Sequence, residues 1–301
     1  MELKGIAPII ATPFTKNGEI DFSSLENLLR TLIKGGCHGL TLFGIAGEYY
    51  KLNDEEKKRM VKVVVNECKK ENTPSIISVT EHSTELAVKQ AKYFESEGAD
   101  CLMLLPPFFL KPSAEDLYIH MKKVGEAVKI PVMVQYAPEQ TGVGIAPSVF
   151  SRLSGEVENI KYYKIECKPV GAYITNLFNS TGDKIKIFVG NAGYQFIEAF
   201  DRGATGVMPG CSMFDVYLKI YNAYVDGNRS EAIDIHNSLL PMLNHIRQSV
   251  EMIIYYEKKI LKKRGIIEED YCRIPTFTGD KYYDRLFEEL YENISKYFIG
   301  K

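Results

Sequence analysis

Short β-branched runs alternate along the chain with longer stretches in which apolar residues return every three or four positions. The short runs begin at Ile6 ("IAPIIAT"), Gly39 ("GLTLFG"), Ser75 ("SIISVT"), Cys101 ("CLMLLPP"), Pro131 ("PVMVQ"), Lys161 ("KYYKIE"), Lys186 ("KIFVG") and Gly206 ("GVMPG"), and each reads as a strand. The stretches between them read as helices. The pattern is most regular over 22–34, 54–70 and 83–98; in the last, Leu86, Val88, Ala91 and Phe94 form an apolar stripe that Gly98 ends. Strands joined by helical stretches of roughly ten to fifteen residues imply right-handed parallel crossovers. Eight of them fit the α/β class as a closed (β/α)8 TIM barrel. An open doubly wound sheet would show the same alternation, but no G-x-G-x-x-G follows the first strand, where that fold puts its phosphate loop. After about residue 226 the alternation stops, and "SEAIDIHNSLLPMLNHI", "EMIIYYEKKILKKRG" and "KYYDRLFEELYENISKYF" are all helical in pattern. The expected organisation is a barrel over residues 1–226 and a C-terminal helical extension over 227–301. In such a barrel, chemistry belongs at the C-terminal ends of the strands and in the loops after them.

Composition narrows the class. With 301 residues, 45% of them apolar, the chain can fill one large core. Its 37 basic and 39 acidic residues are mixed and nearly cancel, so neither nucleic acid nor an anionic membrane is an expected partner. The six cysteines (Cys37, Cys68, Cys101, Cys167, Cys211, Cys272) stand apart, with no C-x-x-C pair and no histidine at metal-ligand spacing. They read as buried thiols, and no spacing indicates a metal or an organic cofactor. The opening "MELKGIAPII" is not a signal-peptide pattern and no apolar run is long enough to span a bilayer, so a cytoplasmic enzyme is expected.

The segment "NIKYYKIECK" at residues 159–168 holds three lysines. Strand alternation puts Tyr162, Lys164 and Glu166 on one face and Lys161, Tyr163 and Ile165 on the other. Tyr163 and Ile165 suit the face beneath the helices; Lys161 can carry its amine to water along its stem, and Lys168 lies past the strand. Lys164 is then the interior amine, beside Glu166. Two readings stay open: an ion pair that fills the barrel mouth, or a Schiff-base lysine, which must be neutral to attack.

Several segments together resemble the dihydrodipicolinate synthase and N-acetylneuraminate lyase superfamily of pyruvate-handling class I aldolases: "TPF" (12–14), "GIAGE" (44–48), "PPFFLKPS" (106–113), "PVMVQYAPEQTGV" (131–143), "NIKYYKIE" and the "RIP" of the tail (273–275). The resemblance covers essentially the whole chain and implies the barrel, an imine on Lys164 in place of any cofactor, a small keto acid as substrate, and a homotetramer built as a dimer of dimers. The proton-relay hydroxyls of the synthases are absent: their two threonines fall on Ile45 and Ala46, their tyrosine pair on Phe108 and Phe109, and the tyrosine after the fifth strand on Gln135. The carboxylate-binding arginine falls on Gln140. Gln135 together with Lys-x-Glu is similar to the L-2-keto-3-deoxyarabonate dehydratase branch. That likeness implies attack of Lys164 on the C2 ketone of a 2-keto-3-deoxy sugar acid, with Glu166 as acid and base and Gln135 orienting.

Around this centre the expected substrate contacts are the loop residues Ile45, Ala46 and Gly47, the last two offering backbone N–H groups to a carboxylate; Gly44 and Gly47 serve equally well to permit a tight turn. Gly190 and Asn191 after the seventh strand border the substrate, Asn191 as a hydroxyl donor or as a turn former. Phe109 makes the mouth apolar. Tyr136 is a candidate contact, although parity puts it opposite Gln135. Glu48 reads as a helix cap, and the five histidines as structural or solvated. Two other functions fit the same fold: dihydrodipicolinate synthase or an acylneuraminate-type aldolase, and a keto-acid binder that has lost catalysis.

Overall fold

The computed structural model describes residues 2–299. The strands are β1 (Gly5–Ile6), β2 (Leu40–Leu42), β3 (Ser75–Val79), β4 (Cys101–Leu104), β5 (Val132–Tyr136), β6 (Ile160–Ile165), β7 (Lys186–Val189) and β8 (Gly206–Val207). The helices are α1 (Phe22–Lys34), α2 (Asp54–Lys70), α3 (Thr84–Glu97), α4 (Ala114–Glu126), α5 (Pro138–Thr141), α6 (Pro147–Glu156), α7 (Val170–Thr181), α8 (Phe196–Asp201), α9 (Phe214–Val225), α10 (Arg229–Ile246), α11 (Val250–Lys263) and α12 (Lys281–Ser295). All eight expected strands are present, α1 and α2 have the predicted ends, and the alternation stops at the turn between α9 and α10. None of the described helices is long and apolar enough to cross a membrane. Every cysteine is buried and unbridged, as the spacing implied.

The chain forms two compact units. One runs from the first residues to Lys4 and from Pro74 to Met208; the other comprises Gly5–Thr73 and the chain from Pro209 onward.

In the first unit, β3 to β8 lie side by side in chain order, all parallel. Local chemistry sets the element ends: Ser83 caps α3 by accepting the Leu86 N–H, and Gly98, at φ 93°, stops that helix in a conformation that costs glycine little. Between β5 and β6 the register shifts: Val132 pairs with Ile160 and Met133 with Tyr162, so Lys161 is an extra, solvent-exposed residue of a bulge. Beyond it the alternation is regular. The Tyr163 hydroxyl donates to Phe150 O at 3.1 Å and lies 2.6 Å from Ser154 Oγ, both on α6, which marks its face as the one beneath the helices. Tyr162 and Lys164 therefore take the opposite face; the Tyr162 oxygen accepts the Leu3 N–H at 3.1 Å.

In the second unit, Ile9 bridges in parallel to Thr41 and to Gly210. Here Glu48 departs from the helix-cap reading. Asn53 caps α2 in a reciprocal capping box with Glu56, while Glu48 sits in a left-handed conformation at φ 58° and turns its fully buried carboxylate onto the equally buried Lys258 ammonium of α11. Lys51 adds a second cation at 2.9 Å, and Lys258 also donates to Tyr271 O at 2.9 Å. Burial pulls the Lys258 ammonium below its ordinary range, and Glu48 opposes that pull. Lys258→Met leaves a buried carboxylate short of a partner and is expected to cost about 3–5 kcal/mol in urea unfolding. Adding Glu48→Gln should return part of that loss, because the stranded charge goes with it.

Candidate active site

β6 delivers Lys164 one residue before its C-terminal end, with Glu166 just beyond; the two are 3% and 8% exposed. Lys164 pairs in register with Gln135 of β5 and Phe188 of β7, so the amine and the Gln135 amide point the same way. Lys164 Nζ stands 3.4 Å from Glu166 Oε1.

The carboxylate of Glu166 is held from two further sides. The Gln135 Nε2 donates to Oε2 at 2.6 Å, and the Asn191 backbone N–H donates to Oε1 at 3.0 Å. Asn191 also donates its side-chain amide to the Glu166 carbonyl at 2.8 Å. Asn191 and the next residue, Ala192, both sit at φ 52°, a conformation that costs a non-glycine residue roughly 1 kcal/mol or more. That bend aims the Asn191 N–H at the carboxylate. Gly190 provides the space: a Cβ there would lie 2.2 Å from Glu166 Cγ.

Gly190 and Asn191 thus cradle the carboxylate. Glu166 lies against Gly190 and engages the backbone and side-chain amides of Asn191, the two residues expected to border the substrate.

Tyr136 turns to the helix side, as parity demands. Its ring stacks on Tyr173 at 4.7 Å and meets Phe150 edge-on at 5.7 Å, and its oxygen accepts the Ile145 N–H at 3.4 Å. Burial pushes the hydroxyls of Tyr136 and Tyr173 up, away from acid–base work near neutrality. The Tyr136 side chain thus turns from the face that carries Lys164, although the residue borders a small cleft beside Gln135. Phe109 is 78% exposed; its neighbour Phe108 instead lines that cleft together with Gln135.

In the other unit, the Gly47 N–H closes the turn onto Gly44 O at 2.8 Å, and the Gly47 carbonyl accepts the Thr12 hydroxyl at 2.6 Å. A Cβ on Gly47 would fall 2.8 Å from Ile10 O, so close backbone approach explains this glycine. Of the two amides expected to receive a carboxylate, the Gly47 N–H is spent in the turn, and Ile45 and Ala46 are half-buried.

Sequence reasoning missed Thr141, Val143 and Ile145, which line the cleft beside Phe108. The only signal for them was the "TGV" after β5, and it marks a turn without showing what the turn faces.

A nearly buried amine beside a hydrogen-bonded carboxylate, at the C-terminal end of a parallel strand, is the apparatus of a class I lyase. Residues 2–293 match the Dihydrodipicolinate synthetase family, and the chain belongs to it. A 4-hydroxy-tetrahydrodipicolinate synthase from Bacillus velezensis is 31% identical over 248 residues, 82% of this chain and 84% of the relative. An L-2-keto-3-deoxyarabonate dehydratase from Azospirillum brasilense is 26% identical over 277 residues, 90% of this chain and 88% of the relative. The crystal structure of dihydrodipicolinate synthase from Rhodopseudomonas palustris superposes with a TM-score of 0.89 at 25% identity, covering 96% of this chain and 97% of that one. The protein is a lyase of this family, and its fold is the (β/α)8 barrel with C-terminal helices that the alternation implied.

Proposed function

We propose that the enzyme joins Lys164 to the C2 carbonyl of a 4-hydroxy-2-keto acid, the reactive unit of every 2-keto-3-deoxy sugar acid, and that Glu166 moves the protons. The observation that carries this reading is the Lys164–Glu166 pair at 3.4 Å, with Glu166 fixed by Gln135 and Asn191.

The Lys164 ammonium gives a proton to Glu166, the neutral amine adds to C2, and one water leaves as the iminium forms. In dehydration, Glu166 takes a C3 proton, the electron pair enters the iminium to give an enamine, and the C4 hydroxyl then departs as water with the proton Glu166 returns. In cleavage, Glu166 takes the C4 hydroxyl proton instead. The C3–C4 bond breaks to an aldehyde and the enamine of pyruvate, and a proton returns to C3. Water hydrolyses the imine in either case. The Azospirillum relative, whose name is that of a keto-deoxy acid dehydratase, supports the first course.

The synthase reading has the higher identity behind it. Against it stands the lack of a relay: Phe108 has no hydroxyl, Gln135 cannot ionise and Tyr136 faces the helices.

Borohydride reduction in the presence of pyruvate, followed by peptide mass spectrometry, tests the imine. A reduced adduct on Lys164 is expected; its absence with pyruvate and with every 4-hydroxy-2-keto acid would leave a binder of the same fold. Turnover of pyruvate with aspartate semialdehyde faster than of any 4-hydroxy-2-keto acid would favour the synthase.

Gly190→Ala should displace the Glu166 carboxylate and lower kcat by roughly a hundredfold, the cost of about 1 Å of misplacement. Trapping at Lys164 should persist, so adduct yield and turnover measured side by side check it.

A homotetramer belongs to the same proposal. Phe109 and Leu110, 78% and 84% exposed, supply apolar surface of the kind a second copy would cover. Light scattering of the eluted protein measures the assembly.

A further inference from the structure

The amide of Gln135 has two ends, and the carboxylate of Glu166 decides which way each one faces. An ionised carboxylate only accepts, so Gln135 presents Nε2 to Glu166 Oε2 at 2.6 Å and turns its carbonyl oxygen elsewhere. Among the described residues no donor reaches that oxygen, and it is not sealed off from solvent. The residue as a whole is only 2% exposed and borders the small cleft after β5, so the oxygen is the part of the amide left to the cleft.

Little else in the lining competes to supply a hydrogen. Pro106 and Pro107 bring carbonyl oxygens and no N–H. The Thr141 hydroxyl donates to Ala137 O at 2.9 Å. The Leu105 and Thr141 N–H groups donate to Val79 O and Ala137 O, each at 3.0 Å, and the Ile145 N–H to Tyr136 Oη at 3.4 Å. A hydroxyl that enters can give its hydrogen to Gln135 Oε1. A group that cannot donate covers the same oxygen and takes away its water without replacing the bond.

Position says which hydroxyl this is. Gln135 is the register partner of Lys164, and its amide holds the carboxylate that serves the C4 oxygen of a substrate joined to that lysine. The next carbon to come beside Gln135 is C5.

We infer that Gln135 is a specificity-determining residue whose carbonyl oxygen accepts the hydrogen of a hydroxyl on substrate C5, so that the enzyme selects a 4,5-dihydroxy-2-keto acid over one unable to donate there. The inference rests on the imine-forming reading above and gives a second role to a residue that otherwise serves to hold Glu166.

The test compares three five-carbon 4-hydroxy-2-keto acids that differ only at C5, which is hydroxymethyl, fluoromethyl or methyl, each followed for kcat/KM and for borohydride trapping at Lys164. Fluoromethyl keeps the shape and polarity of hydroxymethyl but has no hydrogen to give. The hydroxymethyl compound should exceed both others by roughly ten- to a hundredfold, the effect of leaving a covered acceptor without its donor. Gln135→Met removes both ends of the amide; it should slow all three compounds, through Glu166, and bring their ratios close to one. If the fluoromethyl or methyl compound turns over as well as the hydroxymethyl one while all trap on Lys164, the inference fails and the imine reading stands. It fails equally if Gln135→Met slows all three and leaves the ratios unchanged, since Gln135 then acts on Glu166 alone. If none of the three and no pyruvate traps on Lys164, the imine reading fails and takes the inference with it.

Discussion

Lys164→Met should abolish the borohydride-trapped adduct and lower turnover by on the order of a thousandfold or more, because no other amine takes its place in the chemistry. Lys161 and Lys168 are exposed, one in the β6 bulge and one past the strand, and Lys168 is paired with Glu139 at 2.9 Å. Neither should be labelled in the variant. A wild-type rate or an adduct on another lysine would remove Lys164 from the mechanism. Met keeps most of the volume of the side chain, so the barrel strand should stay packed; circular dichroism and an unfolding curve separate lost chemistry from lost fold. Glu166 keeps its Gln135 and Asn191 donors in this variant, which limits the charge left stranded.

Glu166→Gln should behave differently. The amide occupies the same space above Gly190 but cannot exchange protons, so kcat should fall by about 10²–10⁴-fold. Imine formation from pyruvate should continue, more slowly, since water can relieve the Lys164 ammonium of its proton. Adduct yield at long reaction times should therefore approach that of the wild type while turnover does not. Full activity in this variant would assign the proton transfers to another group. Loss of both adduct and turnover would make Glu166 a partner needed to form the imine itself.

Much of the centre was legible from β6 alone. Period-two alternation over "YYKIE" chooses Lys164 among three lysines and puts Glu166 on its side, and the structure keeps that parity because the irregular residue, Lys161, lies before it. Tyr136 shows the same rule at work: its side followed from its position next to Gln135. The cradle was not legible. That the Asn191 N–H reaches a carboxylate 25 residues away depends on two left-handed residues in succession; Asn191 was read as a possible turn former, but a turn does not say which acceptor its N–H will meet. Glu48 misled as a helix cap because its partner, Lys258, lies 210 positions on, and nothing local in "GIAGE" points to a buried cation.

The sequence by itself determined the alternation of strands and helices, the eight-strand count and the side of β6 that carries the amine. These follow from periodicity, which acts within a few residues along the chain. Only the tertiary structure decided what surrounds the amine: that Gly190 leaves room for Glu166, that Gln135 and Asn191 hold it, and that Phe108 rather than Phe109 lines the cleft. Those outcomes are set where loops from different strands converge, and short-range pattern does not encode the distance between residues far apart in the chain.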